Sequence, residues 1–247
     1  MFWPDETLFG PLGRVLENLA PHLIVAGIGL AAMLACVGSR WLGIGLICCC
    51  LLGGGLVLHR HLLNAQPLLP EARTDVTVLW FNLLKTNTTA PEVLIAALAD
   101  SPADVVILAE ASPLQSHLDA LAADFPYQIG CRKAHCELLV LSRIPLLSSR
   151  LRQDIRGPRA ERLVTLTVAL KDRPALTIVG MQMIKPWYYG FAEHDTWFAM
   201  DEIRQATGPV VMAGDFNAAP WSGRLQTLFR ICGLATVRWP VATWPAA

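Results

Sequence analysis

"VVMAGDFNAAPWSGR", residues 210–224, passes from an apolar run to a polar cluster without transition. Val210 to Ala213 reads as a strand buried on both faces, because such a strand is a continuous apolar run. It ends in Gly214-Asp215-Phe216-Asn217. Two residues apart on an extended chain, Asp215 and Asn217 point to the same side. Gly, Asp and Asn are also the common turn formers, so the stretch alone reads equally as a turn. The rest of the chain has to separate a turn from a polar site at the top of a sheet.

Two upstream strands follow the same plan. Val76 to Phe81 ends in Asn82, and Asp104 to Ala109 ends in Glu110. Each alone is an ordinary turn, but three strand ends of one kind point to convergence, since open sheets place sites outside the carboxyl ends of their strands. A carboxylate at the edge of "VVILAE" needs a partner or a metal. Hard oxygen donors of this type suit Mg²⁺ or Mn²⁺, which take one or two carboxylates and keep several waters.

Helical patterns lie between these strands. Pro91 opens "PEVLIAALADS", and Ser112 with Pro113 is expected to cap a helix over 112–125. Further strands are expected at 127–129, 137–142, 162–170 and 175–183, with a helix over 191–207. Ser222 is expected to cap a last helix, closed by Gly233. Strands and helices therefore mix over residues 75–247, an α/β or α+β domain with sheets covered by helices.

The first quarter of the chain differs. Of its 247 residues 53% are hydrophobic, above the ~45–50% usual for soluble proteins. The excess lies in residues 19–38 and 41–58, neither of which holds Asp, Glu, Lys or Arg. About 20 apolar residues span a bilayer as a helix. Ser39-Arg40 leaves only a tight turn, so residues 19–60 are expected to form a transmembrane hairpin that meets the lipid bilayer through 19–58. Residues 1–18 would then be an N-terminal tail, and 61–74, with two prolines, a linker. Gly43, Gly45 and Gly53 to Gly55 would let the helices approach closely.

Arg40 in the turn favours a cytoplasmic turn, whereas Arg14 and Arg60 favour the reverse. Cys131 and Cys136 flank "RKAH" (132–135) and could close a disulfide, which needs an oxidising compartment; their spacing also suits a metal, without a second pair nearby. The expectation is an extracytoplasmic domain. From Asp75 onward acidic and basic residues are equal in number, which argues against tight non-specific nucleic-acid binding. No feature points to a protein partner.

"FNLLKTN", "ILAE", "LSRIP" and "GDFNAAPWS", in that order and followed by "ATWP", resemble the endonuclease/exonuclease/phosphatase superfamily, in particular its membrane-attached bacterial branch. The resemblance covers about residues 75 to 245. It implies a four-layer sandwich of two β-sheets between helices and Mg²⁺-dependent (or Mn²⁺-dependent) phosphoester hydrolysis at a bacterial inner membrane. On that likeness Glu110 is the principal metal ligand and Asn82 orients the metal site. Asp215 positions or deprotonates the attacking water, and Asn217 holds a phosphate oxygen. Arg143 and Arg162 are candidates for phosphate contact, and equally for local ion pairs. Trp187-Tyr188-Tyr189 could line a substrate groove or pack as an apolar loop. The substrate is a phosphate ester: nucleic acid, lipid-derived or a small phosphodiester.

The chain departs from the family pattern at two places. Gln182-Met183 stands where a His is usual; Gln can donate to a phosphate oxygen but carries no charge. His194 lies nearby in sequence, where a solvated helical His is the simpler reading. The pattern also continues with two strands and a Ser-Asp-His loop, whereas "VATWPAA" comes before them. A C-terminally incomplete fold is therefore expected, and losing a general acid/base costs ~10²–10⁴ in rate. Two readings follow: a membrane-anchored metal-dependent phosphoesterase, or a metal- or phosphate-binding remnant without turnover.

Overall fold

The computed structural model describes residues 9–67, 73–131, 136–153 and 161–239. "RKAH" and "ATWP" lie outside them. The elements begin with α1 (Gly10–Cys36), α2 (Arg40–Leu63), β1 (Ala65–Gln66), β2 (Val78–Asn82) and α3 (Pro91–Ala99). Next come β3 (Val105–Ala109), a 3-10 helix (Ser112–Leu121), β4 (Tyr127–Gly130), β5 (Leu138–Ser142) and β6 (Leu146–Leu151). The chain continues through β7 (Leu163–Leu170), β8 (Arg173–Gln182), α4 (Ala192–Gln205), β9 (Val210–Asp215), α5 (Gly223–Cys232) and β10 (Thr236–Val237). Among the described residues they fall into two compact units, one within 73–184 and 191–217, the other of 9–67, 185–190 and 218–239.

The first unit holds two four-stranded mixed sheets, ordered β2-β3-β5-β4 and β6-β7-β8-β9. Alternate side chains of β3 divide between two cores, as the strand period of two requires. Val106 and Leu108 face Leu98 of α3 and Leu114 and Leu121 of the 3-10 helix. Val105, Ile107 and Ala109 face Val164, Leu166 and Ile178 of the other sheet. Gly180 permits that sheet contact, because a Cβ there would sit 2.7 Å from Ile107 Cδ1. On the outer face of the second sheet, α4 buries Phe198, Ala199 and Ile203. The layers are thus helix, sheet, sheet, helix, the sandwich expected from the sequence.

Several local expectations are corrected. β9 lies at a sheet edge and is only partly buried, with Val211 42% exposed, so Val210 to Ala213 is not the strand buried on both faces that its apolar run predicts. Residues 112–121 form a 3-10 helix, non-helical at His117, and its N-cap is Ala111 rather than Ser112. β6 was not visible as a strand. Its pattern "LLSSRL" is mostly exposed because it is a sheet edge paired only to β7.

Cys131 and Cys136 are disulfide-bonded and both are buried against the first sheet. Closing so short a loop is worth about 2 kcal/mol by chain entropy. Reduction, or Cys131→Ser with Cys136→Ser, is expected to lower the unfolding free energy by about that amount, read as a denaturant midpoint shift at constant slope. An unmoved midpoint would show that the thiols are not paired in solution.

The second unit contains α1 and α2, both long and apolar enough to cross a membrane. α1 begins at Gly10, upstream of the apolar run that starts at Leu19. Only 6% and 11% of their most apolar windows are buried. The close approach falls at Gly43, where a Cβ would lie 2.7 Å from Ala31 O, and at Gly27, 2.6 Å from Cys50 Sγ. Gly45, Gly53 and Gly55 meet nothing within 4 Å, and a Cβ at Gly54 would make only ordinary contact with Ile24 Cδ1 at 3.9 Å, so of the expected glycines Gly43 carries the close approach.

The hairpin's base is bound to the chain's later segments by polar contacts. Trp221 Nε1 donates to Glu17 O at 2.8 Å, and Gly223 N, at the start of α5, donates to Glu17 Oε2 at 3.1 Å. Ala219 N donates to Asn18 Oδ1 at 2.9 Å. Gln226 Nε2 donates to Arg60 O at 3.0 Å, and β1 pairs in parallel with β10. α5 ends as its sequence predicts, with Gly233 left-handed at φ 65°, and Ser222 Oγ accepts from Leu225 N at 3.5 Å.

Candidate functional site

Each sheet carries one parallel pair, β2/β3 and β8/β9, joined by a helical crossover through α3 and α4. Parallel pairing puts two carboxyl ends at the same edge. Asn82 is thereby opposite Ala109, one residue before Glu110, and Gln182 is directly opposite Asp215.

At the first edge Glu110 is 5% exposed and has φ 52°. A left-handed conformation is uncommon for a non-glycine residue and concentrates where side chains must be aimed. Glu110 N donates to Glu137 O at 2.7 Å. The loop after β2 wraps the carboxylate: Lys85 N donates to Glu110 Oε2 at 3.3 Å. Asn82 shapes that loop, its Oδ1 accepting from Leu84 N at 2.9 Å.

At the second edge Gly214 lets the backbone approach Met181 O more closely than a Cβ would allow. Met183 N then donates to Asp215 O at 2.8 Å. Asp215 Oδ1 accepts from Asn217 N at 3.2 Å, and Asn217 Nδ2 donates to Met183 O at 2.8 Å. Asn217 has φ 47°, a region Asn tolerates better than most residues. The opening stretch is therefore a turn as well as a polar strand end; the turn is how the two side chains are held.

Face-to-face packing of the sheets joins these edges. Gln182 Nε2 donates to Glu110 Oε1 at 3.1 Å across 72 positions of sequence. Gln182, expected to donate to phosphate, gives that donor to Glu110. Its Oε1 is buried with no hydrogen-bond partner among the described residues. A buried carboxylate and an orphaned amide carbonyl are hard oxygen donors, the chemistry and charge that suit Mg²⁺ or Mn²⁺. Among the described residues no group of three or more His, Cys, Asp or Glu could hold a metal, so the donor set fits only a cation that keeps several waters.

The two arginines are not gathered with them as phosphate donors. Arg143 follows β5 at the opposite end of β3 from Glu110: its backbone N donates to Asp104 O. Its guanidinium donates to Ala99 O at 2.7 Å, Ser101 O at 3.2 Å and Ala103 O at 3.2 Å, and stacks on Phe125 at 4.3 Å. Arg162 precedes β7 and is buried. Its Nη1 and Nη2 donate to Asp195 Oδ2 and Oδ1 at 2.7 and 2.8 Å, and Nη1 also to Gln182 O at 3.2 Å. Both arginines thus serve the fold, the second by fixing the backbone of Gln182. Asp195, fully buried, carries no local sequence signal, because its partner Arg162 lies 33 positions away; its neighbour His194 is exposed.

Residues 79–245 match the model of the Endonuclease/Exonuclease/phosphatase family. No curated protein sequence matches the chain. Among solved structures, sphingomyelinase C from Streptomyces griseocarneus is similar at 20% identity, over 66% of this chain and 72% of that one, with TM-score 0.48. D. rerio TDP2 complexed with single strand DNA product is similar at 16% identity, over 65% and 66%, with TM-score 0.49. A beta toxin mutant from Staphylococcus aureus with bound magnesium ions is similar at 14% identity, over 64% and 70%, with TM-score 0.46.

Proposed function

The chain belongs to the endonuclease/exonuclease/phosphatase family, and from that premise we propose that it hydrolyses a phosphate ester with a divalent cation, Mg²⁺ or Mn²⁺, while held in a membrane by α1 and α2. The observation that carries this reading is the Gln182–Glu110 bond, which joins the polar ends of the two parallel strand pairs.

In this reading Glu110 holds the cation, with Gln182 and Lys85 N–H orienting its carboxylate and Asn82 holding the loop that brings Lys85. Bound there, the cation supplies positive charge that polarises the phosphoryl group and steadies the leaving oxygen. Asp215 accepts the proton of the attacking water, and Asn217 donates to a phosphate oxygen. The balance of charge from Asp75 onward favours a lipid-derived or small phosphodiester over nucleic acid. The Cys131–Cys136 bond supports an extracytoplasmic domain at a bacterial inner membrane, since disulfides persist in oxidising compartments.

The test is turnover of a chromogenic phosphodiester by the full chain in nanodiscs with Mg²⁺ or Mn²⁺. Chelator and Glu110→Gln are each expected to bring the rate to background. Turnover that survives both would place the chemistry elsewhere. A folded protein with no turnover under any condition would leave the metal- or phosphate-binding remnant as the reading.

A further inference from the structure

We infer that the segments Lys185–Tyr189 and Arg238–Trp239 are a second lipid-contact surface, lying in the headgroup layer of the bilayer that α1 and α2 span. The inference rests on the membrane-spanning reading of those helices and adds residues that no span contains.

Three observations within the unit that holds the hairpin carry it. First, these segments expose amphipathic aromatics beside cations. Trp187 and Trp239 are 59% and 73% exposed; Lys185 Nζ lies 5.4 Å from the Trp187 ring, and the Arg238 guanidinium 5.8 Å from the Trp239 ring. Trp and Tyr collect at membrane–water interfaces, where one part of the ring is apolar and the other wet. Second, both segments are fastened to the helices at one level. Arg14 of α1, itself buried, donates from Nε to Pro186 O at 3.0 Å and from Nη2 to Tyr188 O at 2.7 Å. His61 Nε2 of α2 lies 2.8 Å from Arg238 O. Buried main-chain contacts of this kind hold a loop in place rather than leave it to drift.

Third, the spacing matches a bilayer. The turn end of the hairpin bears a pair of the same type, Arg40 at 5.7 Å from the exposed Trp41 ring. Trp41 and His61 both belong to α2, and their twenty-residue separation spans about 30 Å at 1.5 Å per residue, the thickness of a hydrocarbon core. Cation–aromatic pairs therefore stand at both ends of an apolar length that fits the membrane.

The experiment uses the full chain with 5-fluorotryptophan in phosphatidylcholine nanodiscs, each ¹⁹F resonance assigned by a Trp→Phe substitution. Headgroup spin-labelled lipid is then introduced. Trp41, Trp187 and Trp239 are expected to lose most of their peak height together. Loss at Trp41 with Trp187 and Trp239 unchanged would overturn the surface and leave the hairpin standing. No loss at Trp41 would overturn the spanning reading itself, and the surface with it.

Discussion

Asp215→Asn is expected to lower kcat for phosphate-ester hydrolysis by about 10²–10⁴-fold, the usual contribution of a positioned general base. The substitution keeps the shape of the side chain. An amide oxygen can still accept from Asn217 N, as Asp215 Oδ1 does at 3.2 Å, so the turn over Asp215 to Asn217 survives. Backbone geometry is set independently by Gly214 against Met181 and by the Met183 N–Asp215 O bond. Stability should therefore stay within about 0.5 kcal/mol of the parent, the range of substitutions that break no buried feature. On the proposed mechanism, what is lost is the proton acceptor. Since that acts only as the water attacks, kcat and kcat/KM should fall together with KM little changed. A rise in KM at unchanged kcat would instead make Asp215 a binding residue, and no effect would remove it from the site.

Arg162→Met should cost about 3–5 kcal/mol of unfolding free energy, the penalty of stranding a buried charge. Asp195 is fully buried and receives both guanidinium nitrogens as well as Ile184 N at 2.6 Å. Removing the guanidinium leaves the carboxylate with one backbone donor among those three. Combining Arg162→Met with Asp195→Leu should recover much of the loss, because two apolar groups of similar size leave no charge unpaired. Chemical denaturation of both singles and the double gives the coupling directly. Additive losses would mean the pair contributes nothing beyond its separate contacts. The consequence for the site comes through Gln182, whose carbonyl accepts from Arg162 and whose amide holds Glu110.

Particular residues show where sequence reading reaches and where it stops. β3 was legible because "VVILA" is apolar at every position, the mark of a strand covered on both faces. Glu110 is legible as a strand end for the same reason, whereas Asn82 and Asp215 end edge strands that are only partly buried, with Phe81 53% and Val211 42% exposed. β6 was not, since an edge strand needs no apolar pattern when its hydrogen bonds are supplied by β7. Gln182 looked like a weakened phosphate donor, and Arg143 and Arg162 like possible phosphate ligands. Their partners are carbonyls and carboxylates 19 to 72 positions away, which no local spacing encodes.

By itself, then, the sequence determined the two apolar helices, the alternation of strands and helices, and which polar side chains end the strands. All of these follow from local periods, lengths and turn chemistry. Only the tertiary structure decided that Glu110 meets Gln182, that Arg162 is occupied by Asp195, and that Gly27 and Gly43 seat the hairpin. Those meetings depend on two sheets closing face to face and two helices closing side by side, and a side chain's partner is fixed by that packing rather than by its neighbours along the chain.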